Sequence, residues 1–69
     1  MQLAAVLSPA PEGGYVAYNP ETQTTTQGET VEEALSNLKE ATELYLEEFP
    51  IEKVLQTPIL TTIQVSANA

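Results

Sequence analysis

The side chains of this 69-residue chain that could do chemistry are almost all glutamates. Ten Glu stand against two Lys, Lys39 and Lys53, and there is no His, Cys, Asp or Arg. Thiolate metal sites, disulfides and the Ser–His and Cys–His nucleophile systems are therefore out of reach. Two neighbouring Glu could still divide general-acid and general-base work. The Glu at 32, 33, 40, 43 and 47, however, recur where the solvent face of a helix places them. Gly13, Gly14 and Gly28 do not make a phosphate loop. The expectation is a non-enzyme with no catalytic residues, no metal and no cofactor.

Charge narrows the partners. The formal net charge is −8 and the pI is near 4.1. Binding a nucleic-acid backbone needs Lys or Arg to neutralise phosphates, so no nucleic acid is expected on this chain alone. A surface this acidic also repels anionic lipid and attracts basic proteins. No apolar run is long enough to span a membrane, and the N-terminus lacks a basic leader. A cytoplasmic protein is the expectation. Charged residues are only 17% of the chain and the apolar ones recur periodically, which separates it from a disordered acidic tail.

The elements that must position these residues follow from the punctuation. Residues 2–8 form a short apolar run stopped by Pro9 and Pro11, which predicts a strand. Leu3, Ala5 and Leu7 would line one face, Ala4 and Val6 the other. Glu12-Gly13-Gly14 is a turn signal, and Gly14 to Tyr18 is a second strand, β-branched and aromatic. The two read as a hairpin. Asn19-Pro20 turns the chain, and Thr22 to Gln27 has strand propensity but is polar on both faces, which suits a sheet edge.

The strongest local signal begins at Gly28. Thr30 suits an N-cap whose hydroxyl accepts from the N3 amide, and Glu33 at N3 can reach back to the cap amide, a capping box. A helix is predicted from Val31 to Glu48, with Pro50 stopping it. Val31, Ala34, Leu35, Leu38, Thr42, Tyr45, Leu46 and Phe49 form one stripe; Glu32, Glu33, Ser36, Lys39, Glu40, Glu43 and Glu47 fall opposite. Leu44 breaks this pattern by pointing into the Glu face. Ile51 to Pro58 reads as a connection with a turn of helix at Glu52 to Gln56. Ile59 to Val65 is a last strand, Ile59, Thr61, Ile63 and Val65 on one face and Leu60 on the other, and Ser66 to Ala69 a tail.

The whole is a single domain over residues 1–69. The predicted class is α+β, a two-layer sandwich of order β-β-β-α-β. An antiparallel three-stranded sheet carries the helix on one face, with the fourth strand beside the first. Its predicted core includes Leu3, Val31, Leu35, Leu38, Tyr45, Phe49 and Ile63. A domain this small buries only about 60% of its unfolded surface and usually needs a further stabiliser. With disulfides and thiolate metal sites excluded, a homodimer or higher even oligomer is expected. One helix covers only one sheet face, so Val6, Val16, Tyr18, Leu44 and Leu60 are candidate contacts with a partner or a second copy.

Certain residues carry a resemblance: Glu12-Gly13-Gly14-Tyr15, then the run from Thr26 through Gly28-Glu29-Thr30-Val31-Glu32-Glu33-Ala34 to Leu35, then Ala41 and Leu44 to Glu47. Over residues 3–65 the chain resembles the HicB-type antitoxins. The resemblance implies a reduced ribonuclease-H-like unit of three antiparallel strands, a helix and a fourth strand. It also implies a type II toxin–antitoxin system with a small basic RNA-cleaving toxin as partner. The chain departs from the family in Tyr18 to Thr24, where a Pro-Gly turn and a Cys are missing. It corresponds to the N-terminal domain alone, without the C-terminal DNA-binding module many members carry, so operator binding is not carried over.

Two functions are then in view. One is an antitoxin-like acidic protein-binding module that docks on the toxin's cationic surface and blocks RNA access. The other is a stand-alone structural homo-oligomer with no toxin partner. A hydrolase of ribonuclease-H type fails on composition, because that chemistry clusters carboxylates on strands around metal ions and these strands carry essentially none.

Overall fold

A computed structural model describes residues 2–50 and 58–67. They form an α+β unit of β1 (Val6–Pro9), β2 (Tyr15–Asn19), β3 (Thr24–Gly28) and α1 (Val31–Glu48). The strands make one antiparallel sheet in the order β1-β2-β3, and α1 packs over β3 and β2.

The first hairpin closes on a tight turn. Gly13 N–H donates to Ala10 O at 3.1 Å and Ala10 N–H to Gly14 O at 2.9 Å. Pro11 takes the second turn position, which its fixed φ suits. Gly13 and Gly14 follow at φ +106° and +78°, a region that a Cβ disfavours. This sets Val6 opposite Tyr18 and Leu7 opposite Ala17.

The second hairpin is built around one side chain. Asn19, 1% exposed, accepts from Thr22 N at 2.8 Å and from Thr22 Oγ1 at 2.5 Å. Its Nδ2 donates to Ala4 O at 2.7 Å and to Glu21 Oε1 at 2.6 Å. Glu21 Oε1 also accepts from Ala4 N at 3.1 Å. One asparagine thus shapes the β2–β3 turn and pins the N-terminal segment to it. Asn19→Ala is expected to cost about 1–3 kcal/mol, since it leaves buried groups without partners. The amide of Ala4 should then lose protection in hydrogen exchange before β2 does.

This network corrects two strand boundaries. The first strand begins at Val6 rather than Gln2, because both backbone groups of Ala4 are taken by side chains instead of by β2. The third begins at Thr24 rather than Thr22, whose amide and hydroxyl are held by Asn19. β3 is the edge strand its polar sequence predicts, and its polarity is used. Thr26 Oγ1 donates to Ala34 O at 3.0 Å, and Asn37 Nδ2 donates to Gln27 O at 2.7 Å.

The helix bounds follow the predicted punctuation. Thr30 is extended, and its hydroxyl accepts from Glu33 N at 3.0 Å. The reciprocal arm differs from expectation: Glu33 Oε1 accepts from Glu29 N, not from the cap amide. The helix start is therefore tied to the residue leaving β3. Thr30→Ala is expected to cost about 1 kcal/mol, read as a lower urea midpoint at unchanged slope.

The core is narrower than the stripe. Ala17, Ala34 and Leu38 are buried, with Tyr15 packed against them, and Thr42 is buried beside them. Leu3 and Val31 are half-buried. Leu35, Tyr45, Phe49 and Ile63, expected in the core, are exposed. The cause for Tyr45 and Phe49 is length. Eighteen helical residues span about 27 Å, whereas five-residue strands span about 17 Å. The last turns overhang the sheet, where the two rings stack on each other with centroids 5.0 Å apart. Leu35 faces the β1 side, which the helix does not cover.

Ile59 to Val65, expected as a fourth strand beside β1, forms no strand among the described residues, and Ile63 leaves the core with it. Ile59, Ile63 and Val65 remain exposed, so the segment buries no apolar face on the sheet of its own chain, and β1 keeps one edge unpaired. The expected turn of helix at Glu52 to Gln56 lies outside the described residues, as does the end of the tail, Asn68 and Ala69.

Candidate protein-binding surfaces

The sheet and helix present three surfaces. The first is the outer face of α1, where Glu32, Glu40, Glu43 and Glu47 are exposed. Leu44, 56% exposed, has Glu40, Glu47 and Glu48 as helical neighbours at three and four residues. This is an apolar side chain ringed by carboxylates. Glu47 and Glu48 also occupy the negative end of the helix dipole, with no basic residue in the last turn to offset them.

The second surface is the helix-free face of the sheet. Val6 and Tyr18 are direct cross-strand partners, and Val16 sits one step along, opposite Ser8. All three are half-buried. Thr25, opposite Tyr18, and Gln27, opposite Val16, extend the face with polar side chains. The structure brings these three candidates together. It places Leu44 on the outer side of the helix, on the opposite layer, and Leu60 in the exposed segment 58–67.

The third surface was not anticipated. A groove of about 610 Å³ runs between the N-terminal segment and α1, lined by Leu3, Ala5, Leu35, Leu38 and Leu46 together with the oppositely charged Lys39 and Glu43. It exists because α1 sits over β2 and β3 and leaves the helix-side face of the β1 edge open.

Every buried side-chain nitrogen and oxygen among the described residues has a hydrogen-bond partner. No three carboxylates among those residues converge as a metal site, and no helix among them is long and apolar enough to cross a membrane. Comparison with protein-family models, with curated proteins and with solved structures finds no match.

Proposed function

We propose that this chain is an acidic, non-catalytic protein-binding module of the HicB antitoxin type, cytoplasmic and cofactor-free, that neutralises a small basic RNA-cleaving toxin. The observation that carries the reading is the outer face of α1, an exposed Leu44 with Glu40, Glu47 and Glu48 one turn away. Carboxylates in that arrangement steer a cationic partner into contact, and a central apolar side chain gives the contact a dry anchor. The resemblance in the hairpin and helix start supplies the nature of the partner. An RNA-cleaving enzyme presents cationic groups to its substrate, and an acidic face laid over them excludes RNA.

The test is co-expression with the product of any short, basic, His-containing reading frame adjacent to this one. That product alone should arrest growth, and this chain should relieve the arrest. Glu40→Lys, Glu43→Lys and Glu47→Lys combined should abolish relief while leaving the circular dichroism spectrum unchanged. Absence of any complex would favour the stand-alone homo-oligomer, to which the exposed apolar residues of 58–67 lend support.

A further inference from the structure

The chain is more open than its size warrants. A compact 69-residue domain has a radius of gyration of about 11 Å; this one measures 14.3 Å and extends 46 Å along its longest axis. A folded monomer of 7.5 kDa exposes about 4,250 Å², whereas this chain exposes 5903 Å². The excess is about 1,650 Å² per chain, and twice that over two copies lies in the roughly 2,000–5,000 Å² that obligate homodimers bury in total. Much of it is apolar and lies in one place. Ile59 and Ile63 are 89% and 82% exposed, and Leu60 and Val65 are exposed with them. Meanwhile the groove beside β1 stands open, and β1 is an edge strand with one side unpaired.

We propose that two copies of this chain exchange their C-terminal segments. Ile59 to Val65 of each copy lies along the β1 edge of the other and sets Ile59, Ile63 and Val65 into the groove formed by Leu3, Ala5, Leu35 and Leu46. Three observations select a second copy as the occupant. The segment is rich in β-branched residues and alternates polar and apolar positions from Thr62 to Val65, the pattern an added strand needs. No residue from Val54 to Ala69 is charged. This is the longest uncharged stretch at either end of a chain of net charge −8, so it approaches an acidic copy without repulsion and offers a basic partner nothing to pair with. Lastly, the single chain leaves both the segment and the groove unfilled, each complementary to the other. Such an exchange uses surfaces every copy carries, and two-fold symmetry closes it at the dimer. The inference stands independently of any toxin, and its tests use the protein alone.

Multi-angle light scattering of the full chain at micromolar concentration should give a dimer, favoured at higher salt because screening weakens the repulsion between copies. Ile63→Glu should give a monomer with an unchanged circular dichroism spectrum, since Ile63 touches none of the packed core. The chain has no cysteine, which permits a decisive cross-link. The double variant Leu35→Cys with Ile63→Cys, oxidised, should run as a covalent dimer on a non-reducing gel. A covalent monomer would mean the segment docks on its own groove and would overturn the proposal. So would a wild-type monomer at every salt concentration, a dimer that persists in Ile63→Glu, or failure of the two cysteines to join.

Discussion

Gly28→Ala is expected to destabilise the fold at or beyond the upper end of the roughly 1–3 kcal/mol typical of overpacking. A Cβ built on Gly28 lies 2.8 Å from Ala34 Cα and 2.8 Å from Glu33 C, and closer still to Ala34 N. All three are backbone atoms of the first turns of α1, so no side chain can swing aside to make room. The helix must lift off β3, and it cannot lift without straining the Thr26–Ala34 and Asn37–Gln27 hydrogen bonds. Gly28 is opposite Tyr15 in the register, and a Cβ on Gly14 would meet Gly28 O at 2.6 Å. The hairpin, β3 and the helix start are thus stacked backbone on backbone. A 69-residue domain has only about 3–10 kcal/mol of stability, so Gly28→Val should leave it unfolded at room temperature. Gly13→Ala is the internal comparison. Nothing lies within 4 Å of its Cβ, so only the positive φ opposes it, at about 1–2 kcal/mol. Urea midpoints for Gly13→Ala and Gly28→Ala test the ranking, and the circular dichroism of Gly28→Val without denaturant tests its unfolding; equal losses for the two alanine variants would show that the helix does not press on β3.

Leu38→Ala carries the second large effect, about 2–5 kcal/mol. Leu38 is the only large apolar side chain that is buried among the described residues; its companions in the core are Ala17 and Ala34. Truncating it leaves only Ala17 and Ala34 as fully buried apolar side chains between helix and sheet, with Tyr15 packed at their side. Leu38 also borders the groove, so water can reach part of the vacated space, which places the loss in the lower half of that range for the monomer. Leu44→Ala, of equal chemistry but on the exposed face, should change stability by less than about 0.5 kcal/mol. If the two substitutions cost the same, the assignment of faces on α1 is wrong.

The helix was legible to the residue because its limits are local. Thr30, Glu33 and Pro50 act within one turn of where they stand. The first three strands and their order were legible for the same reason, since Gly13-Gly14 and Asn19-Pro20 mark both reversals; the fourth strand expected at Ile59 to Val65 did not follow, because its alternating pattern says nothing about whether a sheet edge receives it. Strand limits were not legible, because they depend on Asn19, whose partners Ala4 and Thr22 lie on either side of it in sequence. An asparagine three residues before a threonine in a turn is a signal for such side-chain bonding, yet nothing local indicates that its amide also reaches Ala4. Core membership of Tyr45 and Phe49 was misjudged because periodicity reports which side of a helix is apolar and is silent on where the sheet beneath it ends. The groove shares that origin: it is a product of where α1 lands on the sheet, which no spacing within α1 encodes.

The Asn19–Pro20 pair also bears on how the protein ages. Asparagine converts to aspartate chiefly when the backbone nitrogen of the following residue attacks its side-chain carbonyl. Here that conversion would replace the Nδ2 donor to Ala4 O with an oxygen, and would set a second carboxylate against Glu21, now 2.6 Å away as an acceptor. Proline has no N–H and its nitrogen is already fully substituted. The residue on which the turn and the N-terminal segment both depend is therefore followed by the one amino acid that closes this route, and the turn is protected from slow chemical decay by its own sequence.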